Sequence, residues 1–139
     1  MKQLNDKQIA IIDNGINGRI VGTDKVQSKI FIDDYNNCKE DYIEIPITEF
    51  QHGTLCALIV KKYNPHCMLN SLRILDKDGN GRIEKIEPAF EWCYQNNITI
   101  VNLSFGTTNF NEYEKLRNLV NKYVNNGLII VAATANSGF

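Results

Sequence analysis

Gln8-Ile9-Ala10-Ile11-Ile12-Asp13-Asn14-Gly15 is the stretch that decides the fold of this 139-residue chain. Its first five residues carry no charge and do not alternate with polar ones, so they suit a strand covered on both faces. Asn14-Gly15 directly after it is a turn signal. A strand covered on both faces belongs to a parallel sheet between helices, and the remaining chain supplies that alternation. Lys29 to Ile32 and Tyr42 to Ile45 read as short strands joined by polar, Asn-rich connections. From His52 to about Lys62 the residues Leu55, Cys56, Leu58, Ile59 and Tyr63 recur at helical spacing, and Asn64-Pro65 closes the segment.

Met68 to Leu75 is the next predicted strand, followed by the loop Asp76-Lys77-Asp78-Gly79-Asn80-Gly81 and a helix running through Trp92 to about Gln95. Pro88 falls early in that helix, where a missing N–H does least harm. Ile98 to Ser104 reads as a buried strand, and Tyr113, Leu116, Leu119, Val120, Tyr123 and Val124 mark an amphipathic helix that Asn126-Gly127 stops. Leu128 to Ala133 is the last strand. The expected fold is α/β, one domain over 1–139, with a mostly parallel sheet flanked by helices in three layers.

Composition narrows the function classes. With 43% hydrophobic residues the chain can bury one core. A net charge of −1, with no basic cluster longer than Lys61-Lys62, argues against nucleic acid as a partner. No apolar run approaches a membrane span, and Met1 to Lys7 lacks the apolar core of a signal peptide, so a cytoplasmic location is expected. Cys38, Cys56, Cys67 and Cys93 form no Cys-x-x-Cys pair and are expected to be free thiols.

Three short blocks arrive in a fixed order: Asp13-Asn14-Gly15, His52-Gly53-Thr54 and Ala132-Ala133-Thr134-Ala135-Asn136. Taken singly, Asp13 could be a strand-ending turn cap and His52 a helix-start surface residue. Taken in order, they resemble the first half of a subtilisin-like serine protease, the subtilase family, in which the chain order is Asp then His. The resemblance runs from Ile9 to Gly138 and makes the chain the N-terminal portion of such a peptidase domain. It implies that Asp13 orients His52, that His52 is the general base, and that Asn136 donates to the oxyanion. Ile100-Val101-Asn102-Leu103-Ser104-Phe105-Gly106 resembles the family's substrate-binding segment, which implies that Ser104, Phe105 and Gly106, with Ala135 on the pocket wall, contact a peptide or protein substrate. Asn14, Leu58 and Ala135 depart from the family's usual Ser or Thr, Gly and Gly. His-Gly-Thr-x-Cys also resembles the thiol-containing subtilases, with Cys56 beneath the histidine; a small core filler one helical turn on explains Cys56 equally well.

The family's serine-bearing block is not found. Ser28, Ser71, Ser104 and Ser137 lack its strand-to-helix context, so the nucleophile is expected from sequence outside this chain or from a partner chain supplying the missing half, and an incomplete sheet suggests self-association. No cofactor is required by such chemistry, but Asp76 to Glu87 satisfies the EF-hand loop pattern, with Asp76, Asp78, Asn80 and Glu87 as candidate calcium ligands. The alternative is therefore an inactive subtilase-like module that binds peptide or calcium.

Overall fold

The computed structural model describes residues 7–49, 51–107 and 109–132. The elements follow as β1 (Gln8–Asp13), α1 (Gly18–Val21), β2 (Val26–Ile32), β3 (Cys38–Glu40), α2 (His52–Tyr63), β4 (Met68–Arg73), α3 (Ile86–Gln95), β5 (Ile100–Leu103), α4 (Phe110–Asn125) and β6 (Ile129–Ala132), with 3-10 turns at Thr23–Lys25 and Ile83–Lys85. The sheet order is β3-β2-β4-β1-β5-β6, parallel throughout except for the antiparallel pair β2 and β3. The expected α/β class, with a mostly parallel sheet between helices, is what the chain forms.

The uncharged run of β1 is explained by its central place, hydrogen-bonded to β4 on one side and β5 on the other. Alternate residues serve opposite faces. Ala10 and Ile12 join Leu72, Val101 and Leu103 in the larger core, covered by Ile86, Ala89, Phe90 and Cys93 of α3 and Tyr123 of α4. Ile11 points the other way, packing with Ile16, Leu69 and Ala57 of α2. Phe90 is fully buried, with its ring edge-to-face against Tyr123 at 5.4 Å between centroids. The Tyr123 hydroxyl donates to Glu91 at 2.6 Å. Pro88 is the third residue of α3, within the first turn, where the missing N–H has no intrahelical acceptor.

One expected strand is not formed. Tyr42 to Ile45 is irregular, and the edge strand is instead β3, which returns on β2 through the turn at Asp33 to Asn37. Asp33 builds that turn: its Oδ1 accepts from the backbone N–H of Tyr35 (2.9 Å) and Asn37 (2.8 Å), and Asn36 takes a φ of 64°. Beyond β3 the chain is held by anchors rather than a ladder. Asp41, buried, accepts two hydrogen bonds from Arg73 of β4 at 2.8 and 3.2 Å, and the Ile45 carbonyl accepts from Asn17 Nδ2 at 3.0 Å. Tyr42 and Ile43 stay exposed, which is why their apolar character does not signal a strand here. β5 begins two residues later than the periodicity suggests, because Asn97 turns with φ 58° and the Ile98 N–H returns to the Cys93 carbonyl at 2.9 Å.

Replacing Phe90 by Ala should lower unfolding free energy by about 3–5 kcal/mol through the cavity it leaves, measured by urea titration of the two proteins.

Candidate active site

The carboxyl end of β1 carries a carboxylate fixed on three sides. Asp13 is buried; its Oδ1 accepts from the Asn14 N–H at 2.7 Å, and its backbone carbonyl accepts from the N–H of Ile74 (2.9 Å) and Leu75 (3.2 Å). Its other oxygen, Oδ2, meets His52 Nδ1 at 2.7 Å. A carboxylate can only accept, so Nδ1 is the donor here, and in the neutral imidazole that leaves the lone pair on Nε2. The Asp13 side chain is 2% exposed and that of His52 60%, so the charge is enclosed while the imidazole reaches solvent. Among the described residues no side chain hydrogen-bonds to Nε2.

His52 is the first residue of α2, and that helix end is stitched to the turn after β1. The helix has no side-chain cap of its own at Gln51; Asn14 Oδ1 accepts from the Gly53 N–H at 3.0 Å instead, satisfying one of the orphan donors. Thr54 Oγ1, fully buried, accepts from the Asn17 N–H at 2.9 Å. The approach is close enough that a Cβ on Gly53 would lie 2.3 Å from the Gly15 carbonyl oxygen. Gly15 makes the turn with φ 104°. Asn14, noticed in the sequence only as a departure from the family's usual residue, is thus the cap that aims the histidine helix.

Below the imidazole, Cys56 Sγ lies 3.7 Å from His52 Nδ1 and 3.9 Å from Ser104 Oγ. Burial pushes the Cys56 thiol above its ordinary range; the hydrogen bond with Ser104 opposes this and the Asp13 charge adds to it. A protonated sulfur beside Nδ1, the nitrogen already given to Asp13, is not placed to be deprotonated by Nε2. Cys56 also packs against the smaller core, so it touches the imidazole and the core together. All four cysteines are free, as expected.

Ser104, Phe105 and Gly106 follow β5 at the same end of the sheet as Asp13, and the Ser104 N–H donates to the Ile12 carbonyl at 3.3 Å. β1 and β5 are neighbours whose onward connections diverge, toward β2 and toward β6, and such a switch point is where open parallel sheets collect ligands. Gly106 is exposed; Phe105 packs against the larger core rather than standing free. Asn136 and Ala135 lie outside the described residues, as does Ser137. Of the other serines, Ser71 is fully buried in β4, Ser28 belongs to β2, and the Ser104 hydroxyl accepts from Asn102 Nδ2 at 3.2 Å.

In the loop with the EF-hand pattern, the Asp76 side chain accepts from the loop's own backbone. Asp76 Oδ1 accepts from the N–H of Asp78 (2.9 Å) and Asn80 (3.0 Å), Gly79 takes φ 81°, and Leu75 bridges to Gly81. Glu87 is on α3 and pairs with Lys122 at 3.6 Å. Among the described residues the one trio of His, Cys, Asp or Glu whose ligand atoms converge is Asp13, His52 and Cys56; Asp76, Asp78 and Glu87 do not.

The subtilase family model matches residues 5–139. This chain belongs to the subtilase family. It is similar to the minor extracellular protease Epr of Bacillus subtilis (strain 168), 31% identical over 96 residues that cover 63% of this chain and 15% of that protein. Subtilisin E of the same organism is 26% identical over 140 residues, covering 94% of this chain and 34% of subtilisin E. Among solved structures, a cold adapted subtilisin-like serine proteinase superposes with TM-score 0.71 at 20% identity, over 94% of this chain and 46% of that one. The A-subunit of the AB5 toxin from E. coli gives TM-score 0.68 at 22% identity, over 96% and 45%. The chain thus spans less than half the length of these proteins.

Gly53→Ala should destabilise the protein by about 1–3 kcal/mol or more, since the new methyl meets backbone that cannot rotate away. Asn14→Ala, which removes only the cap, should cost about 0.5–2 kcal/mol. Thermal melts of both variants, with the His52 imidazole resonances followed by NMR, check the order.

Proposed function

We propose that this chain supplies the acid–base half of a serine endopeptidase centre acting on polypeptide substrates. The observation that supports it is the 2.7 Å contact between buried Asp13 and the Nδ1 of an otherwise exposed His52. Asp13 fixes the tautomer in which Nε2 accepts a proton, and its negative charge stabilises the imidazolium formed when Nε2 takes that proton from an attacking hydroxyl. Returning the proton to the leaving amine completes acylation. The enclosure of Asp13 makes this effective, because fixed charges act more strongly where water is excluded.

The remaining parts are carried over from the family likeness. Asn136 is assigned the oxyanion, and the backbone from Ser104 to Gly106, with Ala135, is assigned the extended substrate. The nucleophilic serine is assigned to sequence beyond the described residues, in the same polypeptide or in a partner, because none of Ser28, Ser71 and Ser104 is hydrogen-bonded to His52. The catalytic unit is then completed only when a serine-bearing segment docks near Nε2.

The test compares residues 1–139 alone with the same residues joined to, or mixed with, a serine-bearing C-terminal half of a subtilase, using a fluorophosphonate probe and an unstructured protein substrate. The isolated chain should show no label and no cleavage, and the completed one should show both. In the completed enzyme, His52→Ala or Asp13→Asn should lower kcat by about 10⁴–10⁶-fold, the scale on which triad members act. Cleavage that survives His52→Ala would sink the reading.

A further inference from the structure

The part of the sheet that α2 leaves bare carries a docking surface. β1, β5 and β6 run in register, Ile9 beside Ile100 beside Ile129 and Ile11 beside Asn102 beside Val131. Side chains in register share a face of the sheet, and Ile9 and Ile11 pack with Cys56, Ala57 and Val60 of α2. Ile129 and Val131 therefore point to the α2 side. There they are 58% and 55% exposed, whereas Ile130, pointing the other way, packs against the larger core.

The helix adds an apolar wall beside that bare face. Cys56 Sγ lies 3.9 Å from Ser104 Oγ at the end of β5, so the flank of α2 that carries Cys56 faces the bare strands. Ile59 and Tyr63 follow Cys56 at i+3 and i+7 on the same flank, with Leu55 one helical turn before Ile59, and all three are exposed. We propose that a second copy of this chain docks here, with the α2 helices of the two copies antiparallel between their sheets, forming a symmetric dimer.

The occupant follows from what each copy leaves unpartnered, one bare sheet face and one helix stripe at its border. Two strands span about 10 Å, the width of a single helix with its side chains, so the face over β5 and β6 holds one helix. The stripe Leu55, Ile59 and Tyr63 supplies that helix from the other copy, and a twofold axis lets each copy give its stripe and receive the other's in one contact. Neither stripe nor face carries a charged side chain. The exposed fractions of Leu55, Ile59, Tyr63, Ile129 and Val131 amount to on the order of 500 Å² of apolar surface per copy, and about 1,000 Å² for the pair reaches the lower bound of a specific interface.

His52, four residues before Cys56, begins the flank that the second copy covers, so the dimer also closes the approach to Nε2. This consequence rests on the acid–base reading above: the serine-bearing segment has to reach the same flank, and dimer and completed centre exclude one another.

Sedimentation equilibrium of the 139-residue chain over the micromolar range, under reducing conditions, should show a monomer–dimer equilibrium and nothing larger. Ile59→Glu, at the middle of the stripe, should weaken dimerisation by more than about 30-fold, as should Val131→Glu on the sheet face. Ile59→Lys should do the same, and a mixture of Ile59→Glu with Ile59→Lys should dimerise again, because the axis sets the two side chains together. Tyr113→Glu, an exposed change on α4 across the sheet, should leave the Kd unchanged. Circular dichroism of each variant confirms that the fold is kept. A chain that stays monomeric, one that forms open-ended oligomers, or a dimer indifferent to Ile59→Glu, as edge-to-edge pairing of β6 would be, overturns the proposal. Adding a serine-bearing C-terminal half of a subtilase should dissociate the homodimer as fluorophosphonate label appears, and label that appears while the homodimer persists overturns the shared face. No label at all counts against the acid–base reading and leaves the sedimentation to decide the dimer.

Discussion

The site depends on how closely a helix end can approach a turn. Gly53 meets the Gly15 carbonyl at a separation that no side chain tolerates, and this brings the first turn of α2 against the end of β1. Two hydrogen bonds fix the approach from either side, Gly53 N–H to Asn14 and Asn17 N–H to Thr54. The Asp13 to His52 contact is a by-product of that docking, because each residue is the immediate neighbour of one that makes it. Helix and strand therefore position the imidazole through backbone contact, and the carboxyl–imidazole hydrogen bond itself need contribute little to stability.

Electrostatics then sort the groups that the docking has gathered. The buried Asp13 carboxyl has a partner on each oxygen, the Asn14 N–H on Oδ1 and His52 Nδ1 on Oδ2. Cys56, within reach of the same carboxylate and half-buried, is held as a thiol. Cys93, with no polar neighbour to offset burial, is pushed up to about 12. The centre thus gathers a carboxyl, an imidazole and a thiol in a small volume, each with different immediate partners.

Legibility in the sequence followed how local the deciding forces are. β1 and α2 could be read because their burial leaves an uninterrupted apolar run and a 3.6-residue period, and the family likeness needed only the order of short blocks set on those elements. Tyr42 to Ile45 misled because its conformation is set by Arg73 and Asn17, which are distant in sequence and whose side chains reach across to it. The calcium reading of Asp76 to Glu87 rests on a spacing of acceptors that is the same whether they face a cation or their own backbone N–H groups, and Asp76 Oδ1 accepts from the N–H of Asp78 and Asn80. Asn14 was legible as unusual but not as a cap, since its partner lies on another element. Cys56 stayed ambiguous because a residue on the shoulder of a helix can touch the core and the site together.

The central place of β1 also sets the order in which the protein can be made. Gln8 pairs with Met68 and Ile9 with Ile100, so β1 has no ladder partner until β4 and β5 have been synthesised. Loops of that length close slowly, and the entropy of closing them is lost before any ladder forms. Until then Ile9 to Ile12 is an exposed run of high β-propensity, the kind of segment that associates with other copies.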